Sequence, residues 1–255
     1  MRYTAKFFRD NLPEWKRRKD PILLKIFYRP LSFYTASFCA NHGISANSVS
    51  VFSTFVGLLA CSMFLFGRWE CNIIGALLIS CWLLLDCTDG NLARCVKAQA
   101  FGEFVDAESS YTLVAFLGVC IGTSVFYTKG GGVLDSCSNT YFIFAGAIAS
   151  SCDTLTRLIY QKYQNVAREL SDKNIIPAHH EKRTDHENSG SLRVRLEQEP
   201  GIGGILPLLI LLAAIFNALD LIIIYMLLYY GGGAVVFISL YTLRAMRYRN
   251  FTLKL

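Results

Sequence analysis

The sequence predicts an all-α, polytopic membrane protein: six transmembrane helices preceded by an N-terminal interfacial amphipathic segment. Three observations predict it. Of 255 residues, 53% are hydrophobic and only 17% are charged, against roughly 25% charged in a soluble domain. Apolar stretches of about the 20 residues that cross a bilayer recur along the chain. Lys and Arg collect in the segments that six crossings would place on one side of the membrane.

Taken in order, residues 3–29 are basic, carry Phe7, Phe8 and Trp15, and are interrupted by Pro13. Short amphipathic helices on an anionic lipid surface fit that composition, and residues 1–45 are assigned to this interfacial unit. No apolar core of a cleaved signal occurs in MRYTAKFFRDNLPEWKRRKDP. The spans are predicted at Asn47–Phe66, Ile73–Arg94, Gly102–Tyr127, Tyr141–Tyr163, Ile202–Ala218 and Leu221–Leu243. They form a membrane domain over 46–247, with a polar linker at 164–200 and a basic tail at 248–255. Nine Lys and Arg precede Pro30, two fall at 94–97, eight between Arg157 and Arg195, and four from Arg244 onward. That is 23 of 25, with only Arg68 and Lys129 on the other face. An integral multi-pass protein with both termini cytoplasmic follows from the positive-inside rule; in a prokaryote the membrane would be the plasma or inner membrane.

Several chemistries are excluded. The nine cysteines are scattered through apolar segments with no CxxC pair, so they read as small apolar fillers and not as a disulfide framework or zinc site. His179, His180 and His186 lie in a linker of disorder-like composition and read as solvated. The GGG runs at 130–132 and 231–233 lack the Lys and Ser/Thr of a phosphate loop. A channel or transporter would need polar residues at mid-membrane depth in several spans, and most spans lack them. No nucleic-acid partner is expected.

The informative stretch is DCTDGNLARCVKAQAFGEFVDAESS, residues 86–110. Asp86 and Asp89 stand three apart, so their carboxylates converge on one helix face. Gly102, Asp106 and Ser110 form a stripe on the next helix. A loop of about seven residues forces the two helices antiparallel and brings Asp86, Asp89 and Asp106 around one small cavity. Three carboxylates that close cannot all stay ionised without a positive charge between them, and Arg94 is the one cation nearby in sequence. A hard divalent cation relieves the repulsion, and all-oxygen ligands select Mg²⁺, Mn²⁺ or Ca²⁺ over zinc. Gly90, Ala93 and Gly102 are small beside the acids, which lets a substrate approach the backbone. The spacing thus predicts a metal–phosphate site at the cytoplasmic membrane surface.

These residues resemble the signature of the class I CDP-alcohol phosphotransferases (the CDP-alcohol phosphatidyltransferase family), D-x2-D-G-x2-A-R-x8-G-x3-D-x3-D, in Asp86, Asp89, Gly90, Ala93, Arg94, Gly102 and Asp106. The six-helix layout and the segment GISANSVS ahead of the first span are similar as well. The resemblance implies transfer of a phosphatidyl or substituted phosphoryl group from a CDP-linked alcohol or CDP-diacylglycerol to a polar or lipid acceptor, with release of CMP. It implies Mg²⁺ or Mn²⁺ on Asp86, Asp89 and Asp106, a CDP pocket shaped by Gly90, Ala93, Arg94 and Gly102, and a homodimer.

Two departures stand out. Seven residues, not eight, separate Arg94 from Gly102, and Ser110 stands where the family's last aspartate serves as base. Three explanations stay open. Glu103, one turn before Asp106, substitutes as base; a phosphorylated acceptor needs none; or catalysis is lost and the chain only binds a CDP-alcohol. Further along, Asp153 and Arg157 stand four apart near a helix end. They read either as an intrahelical ion pair or, with Arg157 facing the cavity, as an acceptor-binding site.

Overall fold

The computed structural model describes residues 3–128, 132–134, 140–174, 176 and 199–246. The predicted tail 248–255, the three linker histidines and most of the polar linker lie outside these.

All regular structure among the described residues is helical. Short helices α1 (Ala5–Asn11) and α2 (Glu14–Lys19) open the chain. The Thr4 hydroxyl accepts the Phe7 N–H and caps α1, and Pro13, which cannot continue a helix, precedes α2. One π turn, Leu24–Tyr28, leads into α3 (Arg29–Asn41). Phe8 and Leu12 are buried against Phe33, Ala36, Val49 and Leu92, so the N-terminal helices pack on the helices that follow.

Among the described residues, five helices are long and apolar enough to cross a membrane: α4 (Ala46–Phe64), α5 (Trp69–Cys95), α6 (Gly102–Tyr127), α7 (Thr140–Asp172) and the unit Leu219–Met246. That last unit consists of α9 (Leu219–Met226), one π turn at Leu227–Gly231, and α10 (Gly232–Met246). The predicted span Ile202–Ala218 contains only α8 (Leu206–Ile215), ten residues, or about 15 Å at 1.5 Å per residue. Three glycines in 201–204 and Pro207 hold its start back, and Asn217, in the left-handed region at φ 55°, ends it. The predicted fifth span is therefore a half-length apolar helix. The polar linker, in contrast, starts as helix, since α7 runs unbroken to Asp172.

The core lies among α4, α5 and α6, where Phe64, Ile79, Leu83, Leu113, Leu117 and Ile121 are buried. Hydroxyls inside it are satisfied by one another. Ser53 and Ser109 share a 2.7 Å hydrogen bond, and the Trp82 indole donates to Ser109 at 3.0 Å, the arrangement an apolar interior requires of buried polar groups. Exposed Phe52 and Phe55 on α4, Phe116 on α6 and Phe144 on α7 face outward.

α6 packs against both α4 and α7. Its closest approach to α7 is made by glycines. A Cβ at Gly118 would stand 2.5 Å from the Gly146 carbonyl oxygen, and one at Gly146 only 2.1 Å from that of Gly118. Ser150 Oγ accepts the Gly118 N–H at 2.9 Å across the same contact. Backbone rather than side chain meets the added methyl, so the helices must separate. Gly146→Ala should lower stability by about 1–3 kcal/mol, read as a lower Tm in detergent, and Gly146→Leu by more.

Candidate active site

α5 and α6 meet through the short loop 96–101 as an antiparallel pair, with the acidic residues at the meeting end. The loop closes on Phe101, whose φ of 59° is left-handed, an uncommon conformation for a bulky residue. Asn47, at the start of α4, ties the loop down: its N–H donates to Gln99 Oε1 at 2.9 Å and its side-chain amide to the Ala100 carbonyl at 3.1 Å. Ser45 caps α4 by accepting the Ser48 N–H.

The three helix ends and α7 enclose an open cleft of about 1460 Å³. Its lining includes Asp89, Gly90, Ala93, Arg94, Gly102 and Asp106, with Glu103 beside them. Asp86 is outside the lining but close enough to Asp89 and Asp106 for the three carboxylates to act on one another electrostatically. Asp89 is 5% exposed and accepts a 2.5 Å hydrogen bond from Ser50. Arg94 folds back over Gly90, where a Cβ would stand 2.6 Å from Nη1, so a side chain at 90 would displace the guanidinium. A Cβ at Gly102 would meet only Asn47 Oδ1 at 3.5 Å; the space above it belongs to the cleft.

The remaining predicted residues lie elsewhere. Ser110 donates to the Ala107 carbonyl of its own helix at 3.0 Å and does not line the cleft. Arg157 is bonded to Asp153 through Nε at 2.8 Å and lies over the Tyr111 ring at 5.7 Å. Neither Asp153 nor Arg157 is in the lining; α7 contributes Tyr160, Gln161, Gln164, Asn165 and Arg168 instead.

Donor chemistry at the acidic end fits a hard divalent cation, since Asp86, Asp89 and Asp106 offer only oxygen and burden one another without one. Among the described residues no three acidic, His or Cys side chains are grouped closely enough to close on a single ion, and Asp89 gives one oxygen to Ser50.

Sequence reasoning missed the support behind the motif. Arg29 is 6% exposed and makes a two-pronged pair with Asp20 at 2.8 and 3.0 Å. Its remaining Nη1 donates to Asn91 Oδ1 at 3.0 Å and to the Cys87 carbonyl at 3.4 Å. The Asn91 amide donates to Ser32 at 2.8 Å, and Thr35 shares a 2.6 Å hydrogen bond with Thr88. α3 thus grips three motif-helix neighbours of the acids: Cys87, Thr88 and Asn91. Lys16, on α2, reaches Asp20 at 3.1 Å. Burial alone would raise the Asp20 carboxyl, but Lys16 and Arg29 outweigh it and hold the group below its ordinary value. No signal marks Asp20 and Arg29 in the sequence, whereas Asn47 and Ser50 stand three apart in GISANSVS, the spacing of one helix face.

Removing one member of a buried ion pair strands the other. Arg29→Leu should cost about 3–5 kcal/mol, and Asp20→Leu/Arg29→Leu together appreciably less, both measured by thermal unfolding in detergent. Because the folded-state value of Asp20 is lowered, its contribution is complete above the unfolded value of about 4 and is lost as pH falls through the lower folded one. Wild type should therefore lose Tm on acidification below about pH 4 more steeply than Asp20→Asn.

Residues 43–175 match the sequence profile of the CDP-alcohol phosphatidyltransferase family. Among curated proteins none matches the chain. The family's members are transferases that use a CDP-alcohol donor and an alcohol acceptor and generally depend on a divalent metal. The match spans more than half of the chain and contains the whole acidic motif together with the helices that carry it; the chain belongs to the CDP-alcohol phosphatidyltransferase family.

Proposed function

We infer that the chain transfers a phosphatidyl or substituted phosphoryl group from a CDP-linked alcohol to an acceptor hydroxyl and releases CMP. One observation carries the reading: six of the seven motif positions border a single cleft at the end of apolar helices. Their register puts carboxylates, a guanidinium and two glycines where a pyrophosphate and the reacting hydroxyl have room to lie.

The reaction is a displacement at the donor's β-phosphorus. The acceptor oxygen forms a bond to it, the bridging P–O bond breaks, and CMP leaves with the electron pair. Asp86, Asp89 and Asp106 would hold Mg²⁺ or Mn²⁺, which when bound would neutralise charge on the phosphoryl oxygens. Arg94, poised over Gly90, is placed to pair with a donor phosphate. Gly90, Ala93 and Gly102 leave its path open.

The hydroxyl proton needs an acceptor. Ser110 is turned to its own helix backbone, while Glu103 lines the cleft one turn from Asp106. Glu103 is therefore assigned as base. The concentration of Lys and Arg on one face supports a cytoplasmic site.

Serine at the family's base position favours a second reading, a silent CDP-alcohol-binding subunit. CMP release separates the two. Purified protein in detergent with Mg²⁺ should release CMP from a CDP-linked donor, and chelation should stop it. Asp89→Asn should lower kcat by about 10²-fold or more, and Glu103→Gln by about 10²-fold. Metal-dependent donor binding without CMP release from any donor–acceptor pair would replace the enzyme reading by the binder.

A further inference from the structure

The acidic motif is approached from a side that its own spacing does not mark. α2 carries four consecutive basic residues, Lys16, Arg17, Arg18 and Lys19. Arg17 and Arg18 are exposed, and they donate to the Arg9 carbonyl and the Glu14 carboxylate within the N-terminal helices. Lys16 differs. Its side chain is 22% exposed against 64% for Arg18, and its ammonium stands 3.1 Å from Asp20 Oδ1. Asp20 holds Arg29 by both oxygens, and Arg29 reaches the Cys87 carbonyl, next to Asp86 in the chain. Those contacts set Lys16 against the motif helix, within electrostatic reach of Asp86 and Asp106.

The cations at this end of α5 and α6 are differently engaged. Arg29 is held by Asp20, Asn91 and the Cys87 carbonyl. Arg94 lies over Gly90 in the cleft. Lys16 meets Asp20 at Oδ1, the oxygen that already accepts Arg29 Nη2 at 3.0 Å. Its charge is therefore a second one on a carboxylate that a guanidinium neutralises. Burial lowers the Lys16 ammonium from its ordinary value, Asp20 opposes burial, and the nearby Arg94 and Arg29 add to it. Three cations drawn together in this way are relieved by an anion. A positive charge beside the acids has two opposite effects: it repels a divalent cation that sits on them, and it attracts an anion laid over that cation.

We propose that Lys16 is a further residue of the metal–phosphate site, where its ammonium loosens the hold of Asp86 and Asp106 on a divalent cation and strengthens the hold on the pyrophosphate of a CDP-linked ligand. The inference rests on the phosphotransferase reading above in taking that ligand, and deepens it by adding a charge from outside the motif. With the ammonium in place the acids are partly compensated before any metal binds. A metal that enters is then held less tightly than bare carboxylates would hold it. The same charge joins Arg94 in facing the phosphates. Because Lys16 is carried by α2, and α2 is docked through Asp20 and Arg29, the N-terminal helices belong to the site and are more than a support behind it.

The test reads metal and nucleotide separately from turnover. Purified protein in detergent is titrated with Mn²⁺ and the free ion is followed by electron paramagnetic resonance. At saturating Mg²⁺ it is then titrated with CDP in a calorimeter, and CMP release from a CDP-linked donor is measured on the same samples. Lys16→Gln should tighten Mn²⁺ binding by about three-fold or more, the scale of one charge acting through a partly solvated medium. It should weaken CDP binding by about three- to ten-fold. Lys16→Arg keeps the charge and should leave both near the wild-type values. If Lys16→Gln fails to fold, Lys16→Met, which keeps the apolar stem, takes its place. The opposite signs are the signature, because a lysine that served only to hold Asp20 would weaken both ligands together or change neither. Either of those results overturns the assignment, and so does wild-type protein that binds no Mn²⁺. Opposite shifts without CMP release from the wild type would overturn the phosphotransferase reading and keep Lys16 in the site of a CDP-binding protein.

Discussion

A carboxylate at the end of an apolar helix must be compensated, and most of what surrounds α5 can be understood as compensation for Asp86, Asp89 and Asp106. Ser50 bonds Asp89 from α4. Arg94 folds along its own helix toward the same region. Behind the acids, the buried Arg29 joins Asp20 to Asn91 and the Cys87 carbonyl. A buried ion pair is weak evidence for stability, because desolvation offsets most of its attraction. Its value here is registry: the guanidinium's fork can satisfy Asp20 and the motif helix together in only one rotational setting of α5. Rotation of that helix by one residue would turn the acids away from the cleft, so the N-terminal helices that carry Asp20 and Arg29 share in setting the chemistry.

The membrane helices were legible where hydrophobicity alone defines them. Gly102–Tyr127 was predicted with the bounds that α6 has, and α4 and α5 agree with their predicted ranges to within a few residues. Hydropathy failed at two places for opposite reasons. The apolar run after Ile202 is long enough by composition, but its glycines, Pro207 and the left-handed Asn217 leave only α8. α7 passes Tyr163 because a solvated amphipathic helix needs no apolar run, and a hydropathy scan therefore stops where the membrane stops.

Legibility of the cleft divides in the same way. Spacing within one helix, or across a loop too short to allow a choice of packing, could be read directly, and Asp89, Gly90, Ala93, Arg94, Gly102 and Asp106 do border one space. Arg157 shows the limit. Its position four residues after Asp153 fits both an ion pair and a ligand site, and the hydrogen bond is what the structure contains. Gln161 fell at the end of the predicted fourth span, and Gln164, Asn165 and Arg168 read as linker until α7 is set against α6. That placement depends on glycines fifteen or more residues away in sequence. Asp20 and Arg29 were illegible for a similar reason, since a buried pair leaves no periodic trace.

The glycine contact between α6 and α7 has a mechanical consequence. Gly118 lies twelve residues from Asp106, or about 18 Å along α6, and Gly146 lies eighteen from Gln164, or about 27 Å along α7, at the rise of an α-helix. The two helices touch backbone to backbone at that point, and their far ends carry the opposing walls of the cleft. They therefore work as a pair of calipers, with the pivot deep in the bilayer and the jaws at its surface. A small tilt at the pivot is multiplied at the jaws by the length of each arm.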